Sequence, residues 1–487
     1  MKIIFILLCF FAYALSAEDI GEMWGTAEAE AKYYKIVNIP IPNDTVIEAG
    51  SFDIHKDGRL IIGTRYGDVF FVDGAFKNKP QPTYKKFASG LDEIFGVNYK
   101  NGSVYVTQSC EVTKVSDTNN DGFANRFDTV SDDFGYGNYH EYAFGSKFDK
   151  EGNMFIALGL SKSYHSWERF RGWALKITPD GKTIPWASGL RSPGGVNENE
   201  HGVMFYAESQ GPWNSSCSLK VLKKGGFMGH PGSYNWYKFT EFPLPLEPKS
   251  GSRIVSESQR VKELIPYSVI FPYIKMGRSI SGFTVNRTKG KFGPFENQIF
   301  IGDYSLSIIM RATTEEVNGV WQGACYPFRE GLSTGILNVQ FSPEGQLITG
   351  GTNRGWPVRG IKPYALERID WTGEMPFEIK EIKVSKEGFS IEFTKALDAK
   401  TIKNEQFQLQ TYTHIYHGAY GGPEVDHTKP KVSNIKLSDD GKTAYITVEG
   451  RIKGHVHDFN LKDLVSREGE KLLHNKAYYT LHEIPSN

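Results

Sequence analysis

The stretch Gly189–Pro231 opens with GLRSPGGV and continues, from residue 205, as FYAESQGPWNSSCSLKVLKKGGFMGHP. Arg191 lies in a turn rich in glycine and proline, which favours a side chain held at a strand end over one in the core. An apolar run shortly before Gly211 and Pro212 predicts a strand that ends there. Because proline has no N–H group to pair with a neighbouring strand, this pair leaves carbonyl oxygens free to bind a cation or a ligand. The stretch therefore predicts a β-rich unit with binding groups at both ends.

A repeated pattern extends beyond this stretch: an alternating apolar strand, a tight polar turn and a second apolar strand. The turns are Lys56-Asp57-Gly58, Lys100-Asn101-Gly102, Lys150-Glu151-Gly152, Glu200-His201-Gly202, Phe295-Glu296-Asn297 and Pro343-Glu344-Gly345. Asp-Gly and Asn-Gly turns between alternating strands are strong hairpin signals. Six turns at intervals of roughly 45–55 residues, apart from one longer gap that holds an insertion at 238–266, match the period of propeller blades. The pattern predicts an all-β chain with a six-bladed β-propeller at 33–373; unrelated hairpins in a sandwich are the alternative.

The character of the chain changes after Gly373. Residues 375–487 lose the repeat and contain short alternating segments such as 389–393 and 444–448. This pattern predicts a small immunoglobulin-like β-sandwich that serves as a non-catalytic accessory domain. Five histidines in this part have no convincing metal-ligand spacing and are interpreted as surface or packing residues. They are His414, His417, His427, His455 and His457.

Composition limits the partners and the compartment. The 487 residues include 56 basic and 56 acidic side chains, so the formal net charge is zero. A neutral chain gives no electrostatic case for nucleic acid or an anionic membrane surface, and no segment after the first is long and apolar enough to span a membrane. Residues 1–17 have a lysine, an apolar core and a small-residue cleavage region, which predicts a signal peptide and a periplasmic or secreted protein. Outside that peptide, Cys110, Cys217 and Cys325 permit at most one disulfide, and the sequence leaves the pair open.

His140 is the candidate catalytic residue. It lies in a loop just before a predicted hairpin at 144–157. A histidine at such a loop end can take a proton from a hydroxyl group at neutral pH, which the oxidation of an alcohol requires. The alternative is a histidine that is hydrogen-bonded within a blade loop.

The motifs GLR-x-P-x-G, QGP and KGG followed by G-x-P make the chain resemble the soluble quinoprotein glucose/sorbosone dehydrogenase family. The resemblance implies a six-bladed propeller with pyrroloquinoline quinone (PQQ) and calcium on one face. It implies that His140 is the catalytic base and that Arg191 grips a cofactor carboxylate, with Ser192 beside it where the family usually has asparagine. It also implies that the carbonyl oxygens of Gly211 and Pro212 hold the calcium ion.

The chain departs from that family in the fifth and sixth blades. A basic pair expected before the sixth-blade strand is replaced by residues 335–339, and a lysine expected after the fifth-blade strand is absent from 305–307. Each lost charge-assisted contact is worth roughly 1.5–3 kcal/mol, so weaker binding of PQQ is expected. Arg278, Arg329 and Arg354 are possible substitutes, although pairing with acidic residues is the commoner fate of such arginines.

A second candidate metal site lies in the second predicted blade. Oxygen-bearing side chains stand at positions 1, 3, 5, 9 and 12 around a glycine at position 6, which follows the calcium-loop pattern. They belong to Asp117, Asn119, Asp121, Asn125 and Asp128. The pattern predicts a structural calcium loop between strands; a solvated turn is the alternative.

These observations favour a sugar or polyol dehydrogenase that uses PQQ and calcium. No haem motif is present, so the electron acceptor would be a separate protein or a diffusible molecule. Aromatic residues near predicted strand ends, among them Trp213 and Trp356, suit stacking on sugar rings. The alternatives are a calcium-dependent lactonase-type hydrolase and a non-catalytic carbohydrate-binding propeller that has lost the cofactor.

Overall fold

The computed structural model describes residues 24–138, 140–162 and 164–486, so the predicted signal peptide lies outside the described residues. Strands make up nearly all of the regular structure. A short helix, α1 (Ala27–Ala31), precedes strand β1 (Tyr34–Asn38). Within the described residues, no helix has the length and apolar character needed to cross a membrane.

Six antiparallel sheets follow; the first five begin with four consecutive strands each, and the sixth combines three consecutive strands with β1. The strands of the first three are β2 (Ala49–Ile54), β3 (Leu60–Thr64), β4 (Val69–Asp73) and β5 (Thr83–Ala88); β6 (Gly96–Lys100), β7 (Ser103–Thr107), β8 (Val112–Ser116) and β9 (Arg126–Ser131); and β10 (Ala143–Phe148), β11 (Met154–Leu158), β12 (Trp173–Ile177) and β13 (Thr183–Ser188). Each predicted turn of these sheets connects their first two strands, as the hairpin signals indicated.

The strands of the remaining three sheets are β14 (Pro193–Glu198), β15 (Met204–Glu208), β16 (Cys217–Val221) and β17 (Val269–Phe271); β18 (Ile280–Val285), β19 (Ile299–Asp303), β20 (Ile308–Val317) and β21 (Val320–Arg329); and β22 (Ile336–Phe341), β23 (Leu347–Thr352) and β24 (Tyr364–Trp371). The predicted insertion at 238–266 lies between β16 and β17 and contains helix α2 at Ile254–Arg260; a 3-10 helix at Pro231–Phe239 begins before it and overlaps its first residues. Strand β1 pairs with β24 and is the fourth strand of the sixth sheet.

The first strand of each sheet contacts the first strand of the next sheet, in the order β2, β6, β10, β14, β18 and β22. The last of these strands, β22, also contacts the first, β2. The glycines of the opening stretch permit one of these contacts. A Cβ atom at Gly194 would lie 2.3 Å from the carbonyl oxygen of Ile280, and one at Gly195 would lie 2.9 Å from the Cα atom of Gly282. Strands β14 and β18 therefore approach at a distance that side chains would prevent. Six four-stranded units in this order are consistent with propeller blades.

The C-terminal strands form two sheets. They are β25 (Ile379–Val384), β26 (Gly388–Phe393), β27 (Phe407–His414), β28 (Glu424–Thr428), β29 (Lys431–Leu437), β30 (Thr443–Glu449), β31 (His455–Leu461) and β32 (Lys476–Leu481). One sheet has the order β25-β26-β30-β29. The other, β32-β31-β27-β28, continues the fifth sheet, because β32 pairs with β21 and aligns Tyr478 with Cys325.

The shared sheet follows from the length of β20 and β21, which have ten residues each, while most strands of the other five sheets have five or six. Because β21 is the outer strand of this long hairpin, its edge is available to pair with β32. The apolar faces of the two C-terminal sheets enclose a core of their own. This core includes Phe389 and Phe459, together with Tyr326 of β21. Cys110, Cys217 and Cys325 are all free thiols, so none of the permitted disulfides is formed among the described residues.

Candidate functional site

The predicted site residues lie in loops that precede the first strands of the sheets. We call this the loop end of the molecule; the hairpin turns after the first strands form the opposite, turn end. His140 precedes β10, and Arg191 precedes β14. Both loops adjoin the end of β11, where a Cβ atom at Gly159 would lie 3.6 Å from the carbonyl oxygen of His140 and 3.9 Å from that of Arg191. The structure therefore brings the predicted base and the predicted anion-binding residue together.

Arg191 is buried against the Gln210–Pro212 turn. Its Nη1 atom donates a hydrogen bond of 2.7 Å to the carbonyl oxygen of Gln210. A Cβ atom at Gly211 would lie only 2.2 Å from the Nε atom of Arg191, so the guanidinium requires glycine at that position. The Nε atom itself is buried and has no hydrogen-bond partner among the residues that the structure describes. Arg191 thus retains one donor that a ligand could satisfy.

A buried ion pair supports the Arg191 turn from below. Glu208, at the end of β15, accepts hydrogen bonds from the backbone N–H groups of Arg191 and Ser192. Its other oxygen lies 2.7 Å from the Nζ atom of Lys220 and 2.6 Å from the hydroxyl of Tyr206. Both members of the ion pair are essentially unexposed. The carboxylate therefore fixes the backbone from which Arg191 projects; no local sequence pattern predicts this ion pair.

His140 is half-buried beside Trp356 of the β23–β24 loop. The two rings are nearly parallel, with an interplanar angle of 16° and centroids 6.2 Å apart. Burial lowers the pKa of His140, and the positive charges of Arg191 and Lys162 lower this pKa further. The imidazole is therefore neutral at pH 7 and can accept a hydrogen bond from a hydroxyl group.

Two buried charges fix the loop that carries His140. Glu141 is fully buried and accepts hydrogen bonds from the backbone of residues 137 and 138 and from the hydroxyl of Ser161. Arg171, also fully buried, donates to the carbonyl oxygens of Gly135 (2.7 Å), Tyr142 (3.0 Å) and Ser109. Loops that lack regular structure are held in one conformation by such contacts.

The other half of the loop end is occupied by ion pairs. The Arg354 guanidinium lies 2.8 Å from a carboxylate oxygen of Glu48 and 3.4 Å from one of Glu93. Arg65 lies 3.2 Å from Glu93 as well. Arg329, far from this region, pairs with Glu30 of α1 at 3.0 Å. Two of the three possible substitute arginines are therefore engaged with carboxylates, whereas Arg278 lies near Tyr273 and contributes to the electrostatic environment of that phenol.

A C-terminal segment covers the Gln210–Pro212 turn. The segment Ile415–Gly422 connects β27 and β28, and the N–H group of its Gly421 donates to the carbonyl oxygen of Gly211 at 3.2 Å. The N–H group of Trp213 donates to the carbonyl oxygen of His417 at 2.9 Å. The ring of Tyr420 lies 5.0 Å from the Cζ atom of Arg191, as in a cation–π contact, and remains 60% exposed.

The quinone–calcium arrangement implied by the resemblance does not fit these residues. One of the two expected calcium-binding carbonyl oxygens, that of Gly211, already accepts a hydrogen bond, and Tyr420 covers a face of the Arg191 guanidinium. Near these carbonyl groups, the side-chain amide N–H groups of Asn214 and the hydroxyl of Ser216 donate their hydrogen bonds to backbone carbonyl oxygens. Arg354 and Arg329, two of the possible substitutes, are paired with carboxylates and therefore add little to a site for a tricarboxylate cofactor. A site for PQQ would require Ile415–Gly422 to move.

The predicted calcium loop has a mixed donor set. Asp117 accepts the N–H group of Gly122 at 2.7 Å through one oxygen, and its other oxygen is buried with no partner among the described residues. Asn125 accepts hydrogen bonds from Thr118, and Asp128 pairs with Arg126 at 2.9 Å. Over the described part of the chain, no group of three or more His, Cys, Asp or Glu side chains is arranged to hold a metal ion.

The chain matches one family model and resembles solved structures in its fold, but it matches no curated protein. The family model described as "Domain of unknown function (DUF7133)" matches residues 82–316. No match was found among curated proteins. A Trichoderma reesei protein of Carbohydrate-Active Enzymes Family AA12 is similar at 11% identity and a TM-score of 0.50, covering 70% of this chain and 97% of that one. At this identity the likeness concerns the fold alone.

Two further solved structures are similar over a comparable share of the chain. A Thermus thermophilus protein described as an oxidoreductase (glucose dehydrogenase) is 15% identical with a TM-score of 0.48, covering 69% of this chain and 99% of that one. The PQQ-bound aldose sugar dehydrogenase of Streptomyces coelicolor is 15% identical with a TM-score of 0.46, covering 69% and 98%.

Proposed function

We propose that the protein is a periplasmic or secreted carbohydrate-binding six-bladed propeller of the sugar dehydrogenase type, followed by an accessory β-sandwich. Its ligand is a neutral sugar or polyol held at the loop end, where His140 accepts a hydrogen bond from a ligand hydroxyl. The observation that supports this proposal is the neutral, half-buried imidazole of His140, which lies beside the exposed ring of Trp356 and close enough to Arg191 for that charge to lower its pKa.

Each neighbour of His140 has a role in this proposal. Trp356 is 63% exposed and presents an aromatic face on which the C–H groups of a sugar ring can pack. The unpaired Nε–H group of Arg191 can donate to a ligand oxygen. Tyr420, from the C-terminal segment, adds a second exposed ring next to that guanidinium.

A quinone-dependent sugar dehydrogenase is the second candidate. It is favoured by the same unpaired donor of Arg191, which a cofactor carboxylate could satisfy, and by a histidine that is unprotonated at neutral pH. This candidate requires Ile415–Gly422 to leave Gly211.

Calorimetric titration with a panel of monosaccharides and polyols tests the first proposal. We expect binding without any cofactor, weakened about fivefold or more by His140→Gln and by Trp356→Ala, because each removes one contact worth about 1 kcal/mol or more. Tyr445→Ala, a change of an exposed ring in β30, is the matched control and should have no effect. Binding should persist at pH 6.5 and weaken at lower pH, since protonation removes the acceptor of His140.

Addition of PQQ and calcium to the same protein separates the candidates. Reduction of a dye by sugars, abolished by His140→Gln, would establish the dehydrogenase and reject a purely binding function. Absence of sugar binding by all variants and by the unaltered chain would overturn the first proposal.

We also propose that the Asp117–Asp128 loop binds calcium as a structural ion, because a buried oxygen of Asp117 lacks a partner among the described residues. Calcium should then raise the melting temperature, and Asp117→Asn should remove most of that increase. Asp44→Asn, in another exposed turn, is the control. An equal increase in the unaltered protein and in the Asp117 variant would exclude this site.

A further inference from the structure

A polar cavity of 520 Å³ opens at the turn end, where the first strands of the sheets finish. Its walls come from the ends of β2, β10, β14, β18 and β22 and from the loop 286–298 that follows β18. Its volume falls within the range of small-molecule sites. It lies at the opposite end of the first strands from His140 and Arg191, so it is separate from the candidate functional site.

The cavity is basic although the whole chain carries no net charge. Four cationic side chains line it, those of Lys147, Arg287, Lys289 and Lys291, against the single carboxylate of Glu198. Among the described residues, none of the four cations lies close enough to a carboxylate oxygen to form an ion pair. Asp53, which interacts electrostatically with Lys147, accepts hydrogen bonds from the N–H groups of Tyr99 and Ile54.

The loop that supplies three of these cations is firmly held. Asn286, fully buried, donates to the carbonyl oxygen of Phe295 at 2.9 Å and accepts the hydroxyl of Thr288 at 2.7 Å. Phe292 and Phe295 anchor the loop in an aromatic core. Glu296, within the loop, accepts the N–H group of Gly290 at 3.0 Å. The cations are therefore gathered by a rigid loop, which reduces the entropy lost when a ligand binds.

The cationic groups keep donors for a ligand. Arg287 donates one hydrogen bond to the carbonyl oxygen of Asn199, and Lys291 donates one to that of Pro343. A guanidinium has five N–H donors and an ammonium has three, so most of their donors remain. Thr284 and Gln340 add uncharged polar groups to the walls.

We propose that this cavity binds a small molecule that carries at least two carboxylate or phosphate groups. Gathering four like charges around one cavity costs electrostatic energy, and a multiply charged anion reverses that cost by pairing with several of them at once. A singly charged anion gains only part of this energy. The proposal is independent of the function proposed for the loop end.

Calorimetric titration of the full chain at low ionic strength tests the site, with citrate and pyrophosphate as probes and acetate as a singly charged comparison. We expect citrate or pyrophosphate to bind and acetate not to bind, with affinity that falls as salt is added. Binding of citrate alone would assign the site to polycarboxylates, and binding of pyrophosphate alone would assign it to phosphates.

The double change Lys147→Gln with Lys289→Gln should weaken binding about tenfold or more, because it removes two charge-assisted contacts. Lys223→Gln with Lys224→Gln changes the charge equally on another exposed turn and should leave the affinity unaltered. Lys289→Glu, at an exposed position, tests the site without changing the half-buried Lys147. No binding of either polyanion, or equal weakening by the test and control variants, would overturn the proposal.

Discussion

Buried ionisable side chains do much of the positioning at the residue level. Glu208 and Lys220 form an ion pair beneath the Arg191 turn, while Glu141 and Arg171 hold the loop of His140. Such groups are tolerated in a core only when their charges and hydrogen bonds are satisfied. The conformations of the Arg191 turn and of the loop that carries His140 therefore depend on buried polar residues beneath them.

Removing one member of the ion pair between Glu208 and Lys220 should strongly destabilise the folded protein. Lys220→Met leaves Glu208 buried without its cation and should lower the free energy of unfolding by about 3–5 kcal/mol. Chemical denaturation followed by fluorescence measures the change. The double variant with Glu208→Gln should recover a large part of the loss, and a single variant as stable as the unaltered protein would contradict the structural role of the pair.

Part of this site could be predicted from sequence. His140 and Arg191 were recognised from their loops and from the motifs around them, and the structure brings them together. Lys220 and Glu208 carried no signal, because each lies in an apolar strand pattern in which a charged residue ordinarily faces solvent. Tyr420 could not be placed beside Arg191, since no local pattern records which distant loops meet.

At the level of elements, the segment 415–422 connects the C-terminal strands to the candidate site. Its hydrogen bonds to Gly211 and Ser215 place Tyr420 over Arg191. The sequence predicts an accessory β-sandwich at 375–487 but not this docking, because no local pattern shows that the hairpin of β20 and β21 is longer than the others and pairs with β32. Whether a ligand reaches Arg191 depends on an element outside the predicted propeller range.

Tyr420→Ala tests that dependence. Removing the ring uncovers one face of the Arg191 guanidinium, so we expect a measurable increase in affinity for PQQ with no loss of stability, because the ring is mostly exposed. Titration of PQQ by absorbance measures the affinity, with Tyr445→Ala as the control. An unchanged affinity would show that the ring does not limit access.

Strands β27 and β31 give a predicted dependence of stability on pH. Burial lowers the pKa of His414 to about 4 and that of His457 to about 3, so both are neutral in the folded protein. The unfolded chain takes up protons near pH 6.5, so the free energy of unfolding should fall as the pH is lowered from about 6.5 to about 4, by roughly 1–3 kcal/mol for each histidine. The double variant His414→Leu and His457→Leu should show a flatter profile in denaturation at several pH values; an identical profile would contradict this explanation.

For the whole molecule, the predicted blades and the C-terminal strands behave as connected parts. The six repeats were predictable because the turn of each hairpin is visible in the local sequence. The continuation of the fifth sheet through β32 was not, because it joins residues far apart in sequence. His474 adds a second connection, lying 2.9 Å from Glu30 of α1 and also contacting Glu378 before β25. The two carboxylates raise the pKa of His474 to about 9 although burial opposes this, so its stabilising charge is present at low pH and is lost above pH 9.

A chain that ends after Gly373 should therefore fail to fold normally. Truncation exposes the edge of β21 and the apolar face around Tyr326, and both promote aggregation. Size-exclusion chromatography and circular dichroism of the truncated chain test this expectation. A soluble, monomeric fragment with a cooperative melting transition would show instead that the predicted propeller folds alone.

The pairing of β1 with β24 sets the order in which the molecule can be completed. Thr372, just after β24, bonds to the carbonyl oxygen of Lys32, which lies 340 residues away along the chain. On a ribosome, the first strand thus waits unpaired until almost the entire repeat region has been synthesised. Contacts of such long range slow folding and prolong the exposure of apolar strands. The sixth sheet is therefore the last part of the repeat region to acquire its full set of strands.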